Sequence, residues 1–172
     1  MKNGAIVEID ERKWKVLEQT EKGVVCICEN IGARKFDRKS NNYANSDIRK
    51  YLNTEVLKEL EVAVGAENII PFERDLISHC GLKEYGTCED KVSLISVDEY
   101  RKYREFLPRT GEWWWTLTPD SVASNGDESW VTVGSPSGYV YVDYGCCNCC
   151  GVRPVCIFSP SIFESRTVKE IE

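Results

Sequence analysis

Four thiols crowd into five residues at Cys146-Cys147-Asn148-Cys149-Cys150. Cys146 with Cys149, and Cys147 with Cys150, each have the CxxC spacing that suits two metal ligands or a redox pair. Overlapping pairs with adjacent cysteines cannot easily converge four sulfurs on one ion. A metal or thiol site holding zinc or copper at Cys146, Cys147, Cys149 and Cys150 is therefore the alternative, and the leading expectation is no cofactor. The single histidine, His79, stands beside Cys80 with Cys88 further on, without the tight ligand pairs of a structural zinc site, and reads as a satisfied loop residue. Carboxylates and hydroxyls form no legible catalytic constellation, so no enzyme is expected.

A different chemistry surrounds the thiols. Tyr139, Tyr141, Asp143, Tyr144 and Asn148 are the residue types of an adaptable recognition surface ordered at low entropy cost. The three indoles Trp113-Trp114-Trp115 cannot all face one way on a strand. One side is core, and the other is a second packing layer or an exposed platform for sugar rings and apolar ligands. Trp115 and Trp130 are expected to lie beneath the contact surface.

These residues need a frame. Tyr139 to Val142 and Val152 to Phe158 read as strands flanking the cysteine loop, whose Asp143, Gly145, Asn148 and Gly151 are turn residues. Upstream, Ala5 to Ile9 pairs with Trp14 to Leu17 across Asp10-Glu11-Arg12-Lys13, and Val24 to Cys28 is a buried strand with Cys26 and Cys28 on one face as small core hydrophobes. Ser46 caps a helix carrying Ile48, Tyr51, Leu52, Val56 and Leu60 at helical spacing until Gly65. Its outer face of Arg49, Lys50, Glu55, Lys58 and Glu59 is solvated and needs no partner. Ser96 and Glu99 form a capping box that opens a helix from Val97 to about Phe106. Asp75 to Cys88 reads as a loop, and Trp130 to Val133 as a strand. The fold class is α+β: a single domain over 1–172, mainly antiparallel sheet with two helices.

With 22 basic and 28 acidic residues the net charge is −6, which argues against nucleic acid as a partner, since phosphate-backbone binders need a basic face. No apolar run is long enough to span a bilayer, so no membrane insertion is expected. Met1-Lys2-Asn3-Gly4 lacks the apolar stretch of a signal peptide, which predicts a cytoplasmic or phage-associated protein with mostly reduced thiols.

Several stretches together resemble a family of bacterial and phage domains of unknown function that carry a WWLRSP-like motif and a closing GVRP strand. They are Trp14-Lys15-Val16-Leu17, Asn45 to Asn53, Asp90 to Ser96, Trp114 to Pro119, and Gly151-Val152-Arg153-Pro154. The chain departs at Thr116 and Leu117, where that family usually has Leu and Arg. The motif order is similar to the C-type-lectin-like fold, in the branch shared with formylglycine-generating enzymes and the variable proteins of diversity-generating retroelements. The resemblance implies termini paired in one sheet and a ligand surface built from loops late in the chain. Those retroelements mutate adenines, and an asparagine AAY codon so mutated never yields Lys, Glu, Gln, Met or Trp. Residues 131–163 contain none of these.

The expectation is a non-enzymatic module that binds a protein or glycan at a cell surface, as the variable protein of such a retroelement. Its alternatives are the cysteine metal or thiol site and a phage inhibitor of a host defence protein. Nothing in the sequence sets the oligomeric state.

Overall fold

The computed structural model describes residues 1–107, 109–146, 148–164 and 169–171. In chain order its strands are β1 Ile6–Ile9, β2 Arg12–Gln19, β3 Val24–Cys28, β4 Ala33–Arg34, β5 Ile69–Ile70, β6 Phe72–Asp75, β7 Thr87–Asp90, β8 Val92–Ser93, β9 Trp114–Pro119, β10 Trp130–Gly134, β11 Val140–Tyr144, β12 Cys150–Gly151, β13 Val155–Phe158 and β14 Lys169–Ile171. One sheet runs β14-β1-β2-β3-β13, with β5 and β8 sharing the far side of β13. A second runs β11-β10-β9-β12-β4, and β6 with β7 makes a separate pair. The pairings are antiparallel except at Gly151 and Trp114, where β12 meets β9 in parallel. The result is one domain of mostly open sheet with a few helices.

The β1–β2 connection is tighter than the polar run Asp10 to Lys13 suggests. Asp10 and Glu11 both adopt positive φ, 54° and 57°, which lets a two-residue turn match the twist of its strands. Arg12 is thereby released into β2, and Val7 sits opposite Trp14. The β1 strand also pairs with β14, Ile6 opposite Ile171, so the two ends of the described chain share a sheet.

Strand β3 is buried along its whole length. Cys26 and Cys28 share the main core with Cys156, which lies opposite Cys26 on β13. Burial pushes the Cys28 thiol up to about 12 and raises Cys26 and Cys156 as well. They act as small apolar side chains.

The long helix spans residues 47–64. The Ser46 hydroxyl accepts from the Arg49 N–H at 3.2 Å, and Gly65 ends the helix at φ +88°. Ile48, Leu52, Val56 and Leu60 face the main core, and Leu52–Val56 forms a π turn within the helix. Arg49 is a correction to the solvated face. Its Nε donates to Asp90 Oδ1 at 2.7 Å, and its other nitrogens reach the carbonyls of Ala44 and Glu89. The wholly buried Asp90 side chain needs a counter-charge, and the first helical turn lies against β7, which carries it.

The short helix Val97–Lys102 has the expected capping box, Ser96 and Glu99 each bonding the other's backbone. It ends before Phe106 because Tyr103 leaves helical geometry, buries its ring and donates its hydroxyl to Glu18 at 2.7 Å. Glu99 also holds Arg74, whose Nη1 donates to it at 2.7 Å while Nε reaches the Ser93 hydroxyl and Nη2 the Leu94 carbonyl.

Two apolar clusters result. The main one joins both sheets and the long helix through Trp14, Phe36, Leu52, Trp115 and Phe158. The second lies on the opposite side of β3 and β13, where Val25, Ile27, Val155 and Ile157 meet Tyr100, Tyr103 and Trp114. No helix among the described residues is long and apolar enough to cross a membrane.

Candidate functional site

The second sheet carries the residues that the sequence singles out. Side chains alternate along its strands, and paired residues share a face. Val131, Val133 and Trp115 therefore point into the main cluster. Thr132 lies on the other face, where its hydroxyl meets that of Thr116 and donates to the Thr118 carbonyl at 2.9 Å. A β-bulge between Val131 and Val133 shifts β10 against β9 and makes room for these buried hydroxyls. At the strand's end a Cβ on Gly134 would overlap the Trp114 ring, so glycine is what lets that indole cross β10 into the second cluster. Both faces of the sheet centre are thus filled, and β11 is left as its outer edge.

Along that edge the aromatic side chains remain at the surface. Tyr139 is 64% exposed, Tyr141 57%, Trp113 and Trp130 43%, and Val142 39%. Trp113 stands edge-on to Tyr141 with centroids 5.6 Å apart, and Trp130 edge-on to Tyr144 at 5.3 Å. Tyr141 and Tyr144 alternate in direction, so the two pairs lie on opposite faces of β11.

The cysteine loop is folded back onto this edge by Asp143. Oδ1 accepts from the Tyr144 N–H at 2.7 Å and from the Asn148 side-chain amide, and Oδ2 accepts from the Cys150 thiol at 3.4 Å. Asn148 N–H returns to the Tyr144 carbonyl at 3.1 Å, and Gly145 N–H to Ser129. Burial, then the Asp143 hydrogen bond and charge, push the Cys150 thiol well above the ordinary cysteine range.

The four-thiol expectation meets this geometry directly. Cys150 is buried and committed to Asp143, Cys149 is exposed, Cys146 is half-buried, and Cys147 lies outside the described residues. Among the described residues no group of three or more His, Cys, Asp or Glu is placed to hold a metal ion.

The expected aromatic set divides. Trp130, Tyr139, Tyr141, Asp143, Tyr144 and Asn148 come together at the β11 edge. Trp115 does not present a surface. It is fully buried, its indole N–H donates to the Arg34 carbonyl at 2.7 Å, and its ring packs edge-on against Phe36. The exposed indole of the triplet is Trp113. It lies just before β9 begins, so it keeps the direction of Trp115 but has run past the core that covers it. Period two gave that direction, but not where the covering layer stops. Val142 is the other exposed residue that sequence reasoning passed over.

Two further places could carry chemistry. His79 lies on a cavity of about 380 Å³ lined also by Asp75, Ser78, Asp98, Arg101 and Thr118. Its Nδ1 is 3.5 Å from Asp120 Oδ1, and its Nε2 is 3.5 Å from Arg101. No hydroxyl or thiol is among its hydrogen-bond partners in the described residues. Arg153 is buried with its guanidinium 4.9 Å over the Trp114 ring and its Nε donating to the Cys28 carbonyl at 3.1 Å. Burial lowers its pKa to about 10, and its Nη1 has no partner in the described residues. It bolts the two sheets together and reaches no surface.

A family model described as a domain of unknown function (DUF6273) matches residues 22–160. No curated protein and no solved structure matches the chain.

Proposed function

The chain belongs to the DUF6273 family of domains of unknown function, and we propose that this member is a non-enzymatic binding module whose contact surface is the aromatic edge around β11. The observation that carries this reading is the clustering of exposed apolar side chains. Of the large hydrophobic residues at the surface, Trp113, Trp130, Tyr139, Tyr141 and Val142 share one sheet edge, while Met1, Val62 and Leu82 are scattered elsewhere. Exposed aromatic groups on a rigid strand give contact area at low ordering cost. A protein surface fits better than a glycan. The rings stand edge-on in pairs rather than as an open stacking floor, and the Asp143 carboxylate that would grip sugar hydroxyls is already occupied by the loop.

The test is retention of the labelled protein on immobilised cell-surface protein extracts and on a glycan array, beside Trp130→Ala/Tyr141→Ala. Retention on protein that the double variant loses while keeping its near-ultraviolet circular dichroism supports the reading. Equal retention by both, or glycan binding alone, overturns it.

The retroelement origin also draws support from the pattern of burial. Tyr139, Tyr141 and Cys149 are exposed, whereas Val152, Arg153 and Pro154 beside them are buried, as a variable surface on a constant frame requires. The C-type-lectin-like fold draws support from the pairing of β1 with β14. Deep sequencing of the gene across a population tests the origin: adenine-directed variation confined to the codons of residues 112–158, with a template copy nearby, supports it, and an invariant segment removes it.

A further inference from the structure

Strand β11 is an edge whose stretch from Val140 to Val142 lacks the usual protections, the loop and the charge of Asp143 guarding only its end. It contains no Lys, no Pro and no bulge, and its register against β10 is unbroken from Trp130 opposite Tyr144 to Gly134 opposite Val140. The direction of its backbone groups follows from the bonds at either end. Ser135 N–H donates to the Tyr139 carbonyl at 2.8 Å, and Gly145 N–H to the Ser129 carbonyl at 2.9 Å. Alternation along an antiparallel ladder then turns Tyr139, Tyr141 and Asp143 inward to β10, and Val140, Val142 and Tyr144 outward. The outward groups of Tyr144 are in use, its N–H by Asp143 and its carbonyl by Asn148. Among the described residues the open stretch of the edge is therefore Val140 to Val142.

We propose that this stretch pairs with the same stretch of a second copy of the chain, antiparallel, about a two-fold axis beside Tyr141. In that register the N–H and C=O of Val140 meet those of Val142 of the second copy, and the reverse, so every open edge group is paired. Val140 faces Val142 of the second copy on one side of the joined sheet. On the other side the two Tyr141 rings meet at the axis, and each Tyr139 lies opposite an Asp143. A shift of one residue would leave outward groups facing inward ones, and a shift of two would bring into the ladder either the Tyr144 groups or those of Gly138, whose N–H donates to the Ser135 carbonyl and whose carbonyl accepts from the Tyr100 hydroxyl, all already bonded.

Charge favours the same partner. The Arg104 guanidinium lies against Gly138 at one end of the edge, and toward the other lie Asp127, which accepts from the Trp130 N–H, and Asp143, opposite Val131. An antiparallel copy sets each basic end beside an acidic one, although the chain's net charge of −6 opposes non-specific association. The contact is small and so associates weakly, and it would present two aromatic surfaces side by side, raising avidity for a repeated ligand. It does not depend on the ligand reading, because it is read out as mass rather than retention.

Sedimentation equilibrium of the full chain under reducing conditions, from about 1 μM to about 1 mM, covers the range in which so small an interface operates. The expected result is a weight-average mass rising from 19.6 kDa toward twice that value. In Val142→Pro the lost N–H is the outward one and the bonds to β10 remain, so this variant is expected to stay at monomer mass with an unchanged near-ultraviolet spectrum. Hydrogen exchange on the unaltered chain provides a measurement independent of that variant's folding: the Val140 and Val142 amides should slow at least about tenfold across the same range. Monomer mass throughout, a dimer that Val142→Pro preserves, or exchange at these two amides that ignores concentration would each overturn the proposal.

Discussion

The Cys150 thiol donates to Oδ2 of Asp143 at 3.4 Å, so one carboxylate at the end of β11 holds both the start and the finish of the cysteine loop. Replacing it with alanine removes acceptors for Tyr144, Asn148 and Cys150 together. Asp143→Ala should cost about 1–3 kcal/mol in urea unfolding. It should also speed alkylation of Cys150 in the folded protein, because burial remains but the hydrogen bond and charge that oppose the thiolate are gone. An unchanged Cys150 rate, followed by mass spectrometry at fixed pH, would show that the carboxylate does not govern this thiol.

Gly134→Ala places a methyl group inside the Trp114 ring. Backbone and indole must move apart, at about 1–3 kcal/mol. The same change in a Trp114→Leu background should cost markedly less, because the obstacle has gone. A double-mutant cycle in urea reads the coupling, and additive losses would place the strain elsewhere.

Burial pushes the Glu99 carboxyl up, but the hydrogen bonds and charge of Arg74 outweigh it and hold the group below the ordinary value of a glutamate in the unfolded chain. A lowered folded-state pKa contributes stability that is fully present above that value and is lost as pH falls through the folded one. Glu99→Gln should flatten the acid limb of the stability curve. Arg74→Ala, which leaves the carboxylate without its counter-charge, should cost about 3 kcal/mol at neutral pH. Acid unfolding curves of the two variants check both, and an acid limb unchanged in Glu99→Gln would sink the assignment.

Thiol reactivity should follow burial. Exposed Cys80 and Cys149 should be alkylated at least about 100-fold faster than Cys26, Cys28 and Cys156. The Cys28 thiol has its folded pKa raised from 9.0 to about 12, so its contribution is intact below pH 9 and declines as pH rises toward 12. Cys28→Ala should therefore make stability fall less steeply across that window in urea titrations at stepped pH. An equal slope would mean that other groups carry the alkaline loss.

Elements written in local chemistry were legible in the sequence. Ser46 with Gly65 bounds the long helix, and Ser96 with Glu99 opens the short one, because caps and stops lie within a few residues of what they cap. Long-range pairing was not legible. Nothing near Ala33 and Arg34 announces their partners at Gly151 and Cys150, and Phe36 is fully buried inside a polar run because Tyr43 and Trp115 close over it. Arg49 looked solvated because Asp90, which it meets, lies far along the chain. At the aromatic edge the residue types could be read, but which indole of the triplet stays uncovered depended on how far the second sheet's core extends.

The position of β13 bears on how the chain folds during synthesis. Residues 155–158 lie between β3 on one side and β5 with β8 on the other, so three segments made much earlier wait for this late strand to complete their ladders. Such non-local closure is slow, and until it happens the apolar flank of β3 has no covering neighbour. A ribosome stalled before these residues emerge would hold an aggregation-prone intermediate, and a chain cut just upstream of them would lose the strand that joins both halves of the first sheet.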